Sequence, residues 1–324
     1  MWLFRLLFFI LLTSAALEAD DSKEPNEIAV ALYVINIDEV SSAKQNFTGS
    51  LFYTARWKNP FLQHDTPHSI RKDVSEVWTP DLTLINQQRA WEAFPEYVEV
   101  DPDGTVTYKQ KIWGAFSQPF DLKEFPFDQQ TLTFHLAAPG MHADKVKITE
   151  LEYQEDRGSG IFDVFSLPDF KVLSWGAESA PFYAFEEGVG TAGYKMDITI
   201  ARHSMYYILK VILPLCMIVI MSWLPRWISA EHTSINVGIS TTSFLTLIAY
   251  LFAIAVLLPK VSYLTRMDYF ILLSTILVFL GLVHTAFDAF MFKRNPKVVE
   301  RANLLARFLH PLFLLAVLMY SFCL

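Results

Sequence analysis

Residues 204–224 read SMYYILKVILPLCMIVIMSWL, a run in which Lys210 is the only charge. Three more runs of the same character follow, at about 234–258, 268–292 and 302–324. A helix needs about 20 apolar residues to cross a bilayer. Backbone groups in hydrocarbon must bond internally, so four such runs predict four membrane-spanning helices. Upstream of Arg202 the charged residues crowd together and no run of this kind recurs after the N-terminus. The stretch at 204–224 therefore divides the chain into a polar half and a membrane half.

The first residues have a third character. Arg5 supplies a short positive start, Leu6–Leu12 an apolar core, and Ser14-Ala15-Ala16 small residues for cleavage. That pattern reads as a signal peptide over 1–19. It predicts that residues 20–202 are exported and that 203–324 stay in the membrane. The short loops give an independent orientation. Arg226 lies between spans one and two, and Lys293, Arg294, Lys297 and Arg301 lie between spans three and four. Basic loops face the cytoplasm. The expected location is the cell (inner) membrane, multi-pass, with the N-terminal domain extracellular or periplasmic.

The polar half alternates with period two, the mark of a half-buried strand. Phe47, Leu51, Tyr53, Ala55 and Trp57 alternate with Thr48, Ser50, Thr54 and Arg56, and Phe52 breaks the pattern. Leu132, Phe134 and Leu136 alternate with Thr131, Thr133 and His135. Tyr194, Met196, Ile198 and Ile200 alternate with Lys195, Asp197 and Thr199. Pro102-Asp103-Gly104 is a turn: proline fixes φ and glycine accepts positive φ. The fold class expected is an all-β, immunoglobulin-like sandwich followed by an all-α four-helix transmembrane domain.

Composition excludes several functions. The net charge is −8 and there is no basic stripe, so nucleic acid is not an expected partner. Cys216 and Cys323 both fall in apolar runs, which leaves no disulfide framework and no Cys/His zinc cluster. No phosphate loop, nucleophile elbow or paired metal histidines occur, so neither an enzyme nor a cofactor is expected.

One segment carries more than composition. Gln118–Leu132 reads QPFDLKEFPFDQQTL, and its core Phe125-Pro126-Phe127-Asp128 closely resembles the signature loop of pentameric ligand-gated ion channels, the Cys-loop receptor superfamily. Gln118 and Leu132 stand where animal members carry cysteines, and in this the chain is similar to prokaryotic members. Trp78-Thr79-Pro80-Asp81 with Asn86 resembles the first ligand-loop motif. Arg202, Pro214 and Leu258-Pro259-Lys260 with Tyr263 follow in the family's order.

The resemblance implies a homopentamer whose second span lines a pore. By helical spacing alone, Ser234, Gly238, Thr242, Leu245, Ala249, Phe252 and Val256 share one face. Small and hydroxyl residues suit either a water-filled path or close helix packing. The resemblance favours the pore, with permeant monovalent cations expected and Glu231 as a selectivity charge. It also implies a coupling cluster of Asp128, Arg202 and a first-hairpin carboxylate, Asp38 or Glu39, with Pro259 and Lys260 in the loop opposite. Pro181–Tyr194 resembles the capping loop of the agonist site. Tyr183, Phe185 and Tyr194, with Trp57 and Trp78, are its expected ligand residues. Aromatic rings beside Glu186 and Glu187 fit a small-molecule agonist such as an amine. Protons are the alternative, given His64, His68, His135, His142, His203 and His284. A non-conducting membrane ligand sensor is the competing reading.

Overall fold

The computed structural model describes residues 27–153, 156–184, 188 and 190–322. The expected signal peptide, Phe185, Glu186, Glu187 and Cys323 lie outside the described residues. The strands in chain order are β1 (Glu27–Ser41), β2 (Asn46–Lys58), β3 (Ile70–Asp73), β4 (Thr83–Leu84), β5 (Gln87–Glu92), β6 (Tyr97–Val100) and β7 (Thr105–Ser117). They continue as β8 (Gln129–His142), β9 (Lys147–Glu150), β10 (Glu152–Tyr153), β11 (Asp156–Arg157), β12 (Gly160–Ile161), β13 (Phe170–Ser179) and β14 (Thr191–Arg202).

Among the described residues, one sheet runs β12-β1-β2-β7-β6-β3, with β5 on β7 and β9 on β1. The facing sheet runs β13-β14-β8-β4. The alternation explains the pairing. Phe47, Leu51, Tyr53, Ala55 and Trp57 of β2 are buried, as are Leu132, Phe134 and Leu136 of β8 and Tyr194, Met196, Ile198 and Ile200 of β14. Removing one such Leu or Phe side chain from water contributes roughly 1.5–3 kcal/mol. Phe47 and Phe116 from one sheet meet Phe134 from the other at 5.1 and 4.9 Å between ring centroids, and these three rings join the layers. Phe52, the exception on β2, meets Phe94 edge-on at 5.6 Å. The turn at Pro102–Gly104 closes β6 onto β7, with Gly104 at φ +81°.

β14 runs almost directly into the membrane half. The four apolar helices are Met205–Arg226, Thr233–Ile254, Arg266–Met291 and Pro296–Phe322. The second ends four residues before the expected Leu258, and the fourth begins six residues before the expected Ala302. In the first span, Ile208–Ile212 forms a π turn ahead of Pro214. Proline has no N–H, so the Lys210 carbonyl loses its helical partner. Tyr250 of the second span shares its one hydroxyl proton between the carbonyls of Lys210 (3.0 Å) and Val211 (2.9 Å).

Arg226 corrects an expectation. The sequence places it in the loop between spans one and two, whereas it ends the first helix, 1% exposed and bonded among the helices. The orientation argument then rests on Lys293 and Arg294 in the loop, with Lys297 and Arg301 exposed in the first two turns of the fourth helix.

Candidate functional site

The loop between β7 and β8 is the meeting point of the two halves. Arg202, the last residue of β14, donates from Nε to Asp128 Oδ1 at 2.7 Å and from Nη2 to Oδ2 at 3.0 Å. The planar fork matches the carboxylate, so the pair fixes orientation as well as distance. Both side chains are nearly buried, at 7% and 1% exposure. Gln130 donates to Asp128 Oδ2 at 2.8 Å, and the Arg202 guanidinium lies over the rings of Phe170 and Phe125 at 4.4 and 5.1 Å.

The first hairpin reaches this cluster through a hydroxyl, not a carboxylate. Arg202 Nη2 donates to Ser42 Oγ at 3.3 Å. Asp38 instead accepts from Trp113 Nε1 at 2.8 Å and from Asn36, and Glu39 is exposed. The assignment of Asp38 or Glu39 to the Arg202 cluster is corrected to Ser42. β1 has register shifts between Val34 and Asn36 and between Ile37 and Glu39, so strand counting along it misplaces the hairpin's end.

The same loop caps the third span. A helix leaves its first N–H groups unsatisfied. Here Arg266 N–H donates to Lys123 O at 2.9 Å and Met267 N–H to Phe125 O at 3.3 Å. Thr265 and Asp268 close a capping box beneath them. Arg266 also pairs with Glu124. Leu122 N–H donates to Tyr263 Oη at 2.9 Å, so Tyr263 carries the contact of the loop between spans two and three. In that loop Pro259 is half-buried and Lys260 exposed. Phe125 meets Tyr207 of the first span at 4.8 Å, and Phe127 meets Phe322 of the fourth at 5.6 Å. Where cysteines would bracket the loop, the Gln118 side chain accepts from Thr133 N–H at 3.3 Å.

The second span presents two faces. Asn236, Ser240, Ser243, Leu247 and Ile254 are buried against the other helices. Ser234, Gly238, Thr242, Leu245, Ala249 and Phe252 are all exposed on the other side, and Val256, two residues past the helix end, is exposed as well.

Two comparisons with known proteins agree with this layout. The model of the neurotransmitter-gated ion-channel ligand binding domain matches residues 14–183, and that of the neurotransmitter-gated ion-channel transmembrane region matches residues 211–316. The chain belongs to the neurotransmitter-gated ion channel family. It is a multi-pass membrane protein of a channel family, not of an enzyme family. It is similar to a gamma-aminobutyric acid receptor subunit beta-4 of Gallus gallus, at 24% identity over 309 residues. That alignment covers 89% of this chain and 61% of the relative, so the chain spans about three fifths of the relative's length.

In this neurotransmitter-gated channel chain two of the expected ligand residues, Trp57 and Trp78, meet each other. Tyr183 is 59% exposed on the loop between β13 and β14. Trp78 is half-buried. Two expectations are corrected by burial. Trp57 is 2% exposed and packs edge-on to Trp78 at 6.0 Å. Tyr194 is fully buried, its hydroxyl 3.0 Å from Ser159 Oγ. Neither ring presents a face to a ligand in this fold. His135 sits at the root of the loop, 3.0 Å from the Ala180 carbonyl and edge-on to Phe182.

The Trp78–Asp81 motif instead opens a cavity of about 300 Å³ through its polar residues. Thr79, Asp81, Glu92 and Glu96 line it with Tyr53 and Tyr108. Gln110 holds its rim, donating to Glu92 Oε2 at 3.1 Å and accepting from Phe94 N–H at 2.8 Å. Burial pushes the Tyr53 hydroxyl far above its ordinary range, and Tyr108 and Glu92 add to the effect. Burial raises Tyr108 as well.

Proposed function

We propose that this chain is one subunit of a homopentameric channel gated by a small ligand or by protons and conducting monovalent cations. The observation that carries the reading is the second span. Its small, hydroxyl and apolar stripe from Ser234 to Phe252 is exposed in the single chain, opposite the face that packs on the other helices. Five such stripes around an axis make a path that is polar at Thr242 and apolar at Leu245 and Phe252. Apolar rings of that kind gate by dewetting.

Selectivity is assigned to cations because no lysine or arginine lies on the stripe and Glu231 shares a groove with Ser234, Gly238 and Thr242. Lys293 lines the same groove and opposes it. The agonist is assigned to the loop bearing Tyr183, where an exposed ring suits an organic cation. The proton alternative is assigned to His135 at that loop's root. Gating runs through the Arg202–Asp128 pair and the capped end of the third span.

The test is current recording from the full chain in a planar bilayer under a steep KCl gradient, during pH steps and with ethylamine added. Openings that reverse near the potassium equilibrium potential support the proposal. Reversal near the chloride potential overturns the cation assignment. Stable insertion without current under any condition favours the non-conducting sensor.

A further inference from the structure

We propose that Arg226 is a positioning residue for the pore-lining helix, holding the inner half of the second span through Thr285 and Ser240. This inference rests on the pore reading of that span. Arg226 ends the first span and is buried where all four helices meet. From Nη1 it donates to Asp288 Oδ2 at 3.0 Å and to Asn303 Oδ1 at 3.3 Å. From Nη2 it donates to the Gly281 carbonyl at 2.6 Å and to Thr285 Oγ1 at 2.8 Å. Its own carbonyl accepts from Arg307 Nε of the fourth span at 2.8 Å. A buried cation is tolerated only when its partners are this complete.

The hydroxyl of Thr285 passes the constraint on. It donates to the Gly281 carbonyl at 3.0 Å and accepts from Arg226. A hydroxyl has one proton: with it on the Gly281 carbonyl, Ser240 Oγ at 2.7 Å donates to Thr285, and with it on Ser240 the bond runs the other way, so either arrangement ties the two spans together. Ser240 is 1% exposed, on the face of the second span opposite Gly238 and Thr242. Among the described residues, side chains of the second span bond to other spans at two places, Ser240 to Thr285 and Tyr250 to the first span. The inner place is therefore set by Arg226. Rotation of the second span that turns Thr242 toward or away from the axis must break or strain the Ser240 bond. Only the fork of a guanidinium reaches the third and fourth spans together, so lysine cannot replace it.

The test uses the full chain in liposomes with Cys216→Ser and Cys323→Ser, and Thr242→Cys as a reporter. The rate of its modification by a charged methanethiosulfonate reports the orientation of the stripe without any agonist or current. Ser240→Ala, Thr285→Val and Arg226→Lys should each change that rate on the order of fivefold or more, with pentamer yield retained. Ser240→Ala combined with Thr285→Val should change it no further than Thr285→Val alone, because Thr285→Val already removes the bond that Ser240→Ala removes. Rates within about twofold of the parent in Ser240→Ala and Thr285→Val overturn the inference while leaving the pore reading intact. A lowered unfolding temperature with unchanged rates does the same, since it marks a merely structural role. A reporter thiol that never reacts overturns the pore reading and this inference with it.

Discussion

Removing one member of the Arg202–Asp128 pair should cost far more than removing both. Each charge-assisted hydrogen bond to a buried group is worth about 1.5–3 kcal/mol. The pair has two, at 2.7 and 3.0 Å, between side chains exposed by only 7% and 1%. Taking one partner from a buried pair costs about 3–5 kcal/mol, because the other charge is left without compensation. Asp128 keeps its bond from Gln130, and Arg202 keeps Ser42 and the rings of Phe125 and Phe170. Those contacts place Arg202→Gln and Asp128→Asn at the lower end, about 3 kcal/mol each. The double variant carries two neutral amides of similar shape and should be no worse than either single, a coupling of about 3 kcal/mol. Urea unfolding of the detergent-solubilised full chain, followed by tryptophan fluorescence, measures all three. If the double variant loses the sum of the singles, the two residues act independently and the junction is not held by this pair. Arg202→Glu adds the functional arm: it should assemble in the membrane and fail to open. Ordinary currents from Arg202→Glu would sink the coupling role.

Tyr263→Phe leaves the Leu122 N–H without an acceptor and should cost about 1–3 kcal/mol in the same unfolding assay; an unchanged midpoint means the bond does not form in the solubilised protein. Tyr53 gives a pH dependence of definite sign. Its folded value is raised above 10.0, so its contribution is fully present below pH 10.0 and is lost as pH rises beyond it. Phenolate absorbance during an alkaline titration should show Tyr53 ionising only as the β sandwich unfolds, and Tyr53→Phe should flatten that loss. Ionisation of Tyr53 in the folded protein contradicts its burial.

The strands and spans were legible because each has a period that one residue type can carry. The odd positions of β2 and the even positions of β14 from Ala192 to Ile200 are apolar or glycine, and the structure buries them. The misplaced ligand residues fail by the same rule. Trp57 falls in register with Leu51, Tyr53 and Ala55, and Tyr194 with Met196 and Ile198, so alternation had put both rings on the core face. Resemblance to a motif assigned them to the surface, and packing decided otherwise. Ser42 was out of reach of any periodic argument, because two register shifts on β1 precede it. Arg226 had one weak signal. Asp288 is a lone carboxylate inside an apolar run, and an intramembrane charge calls for a partner. Which cation answers it depends on helix packing across 62 positions of sequence.

The Phe125–Asp128 loop has a physical reason to occur with four spans. Its carbonyls at Lys123 and Phe125 are the N-terminal cap of the third span, and its carboxylate holds the end of β14. On the proposed reading, a rotation of the sandwich therefore acts on two helices at once. It pulls the first span through the strand end at Arg202, and it moves the third span as a rod from its capped terminus. The third span has 26 residues, a length of about 39 Å at 1.5 Å per residue. Thr285 lies near its far end, against Ser240. The stripe is then held at its outer half by Tyr250 to the first span and at its inner half by Ser240 to the third, so motion of either neighbour is felt at Leu245 between them. A loop that capped no helix could position the first span only, and the inner half of the stripe would have no link to the ligand side.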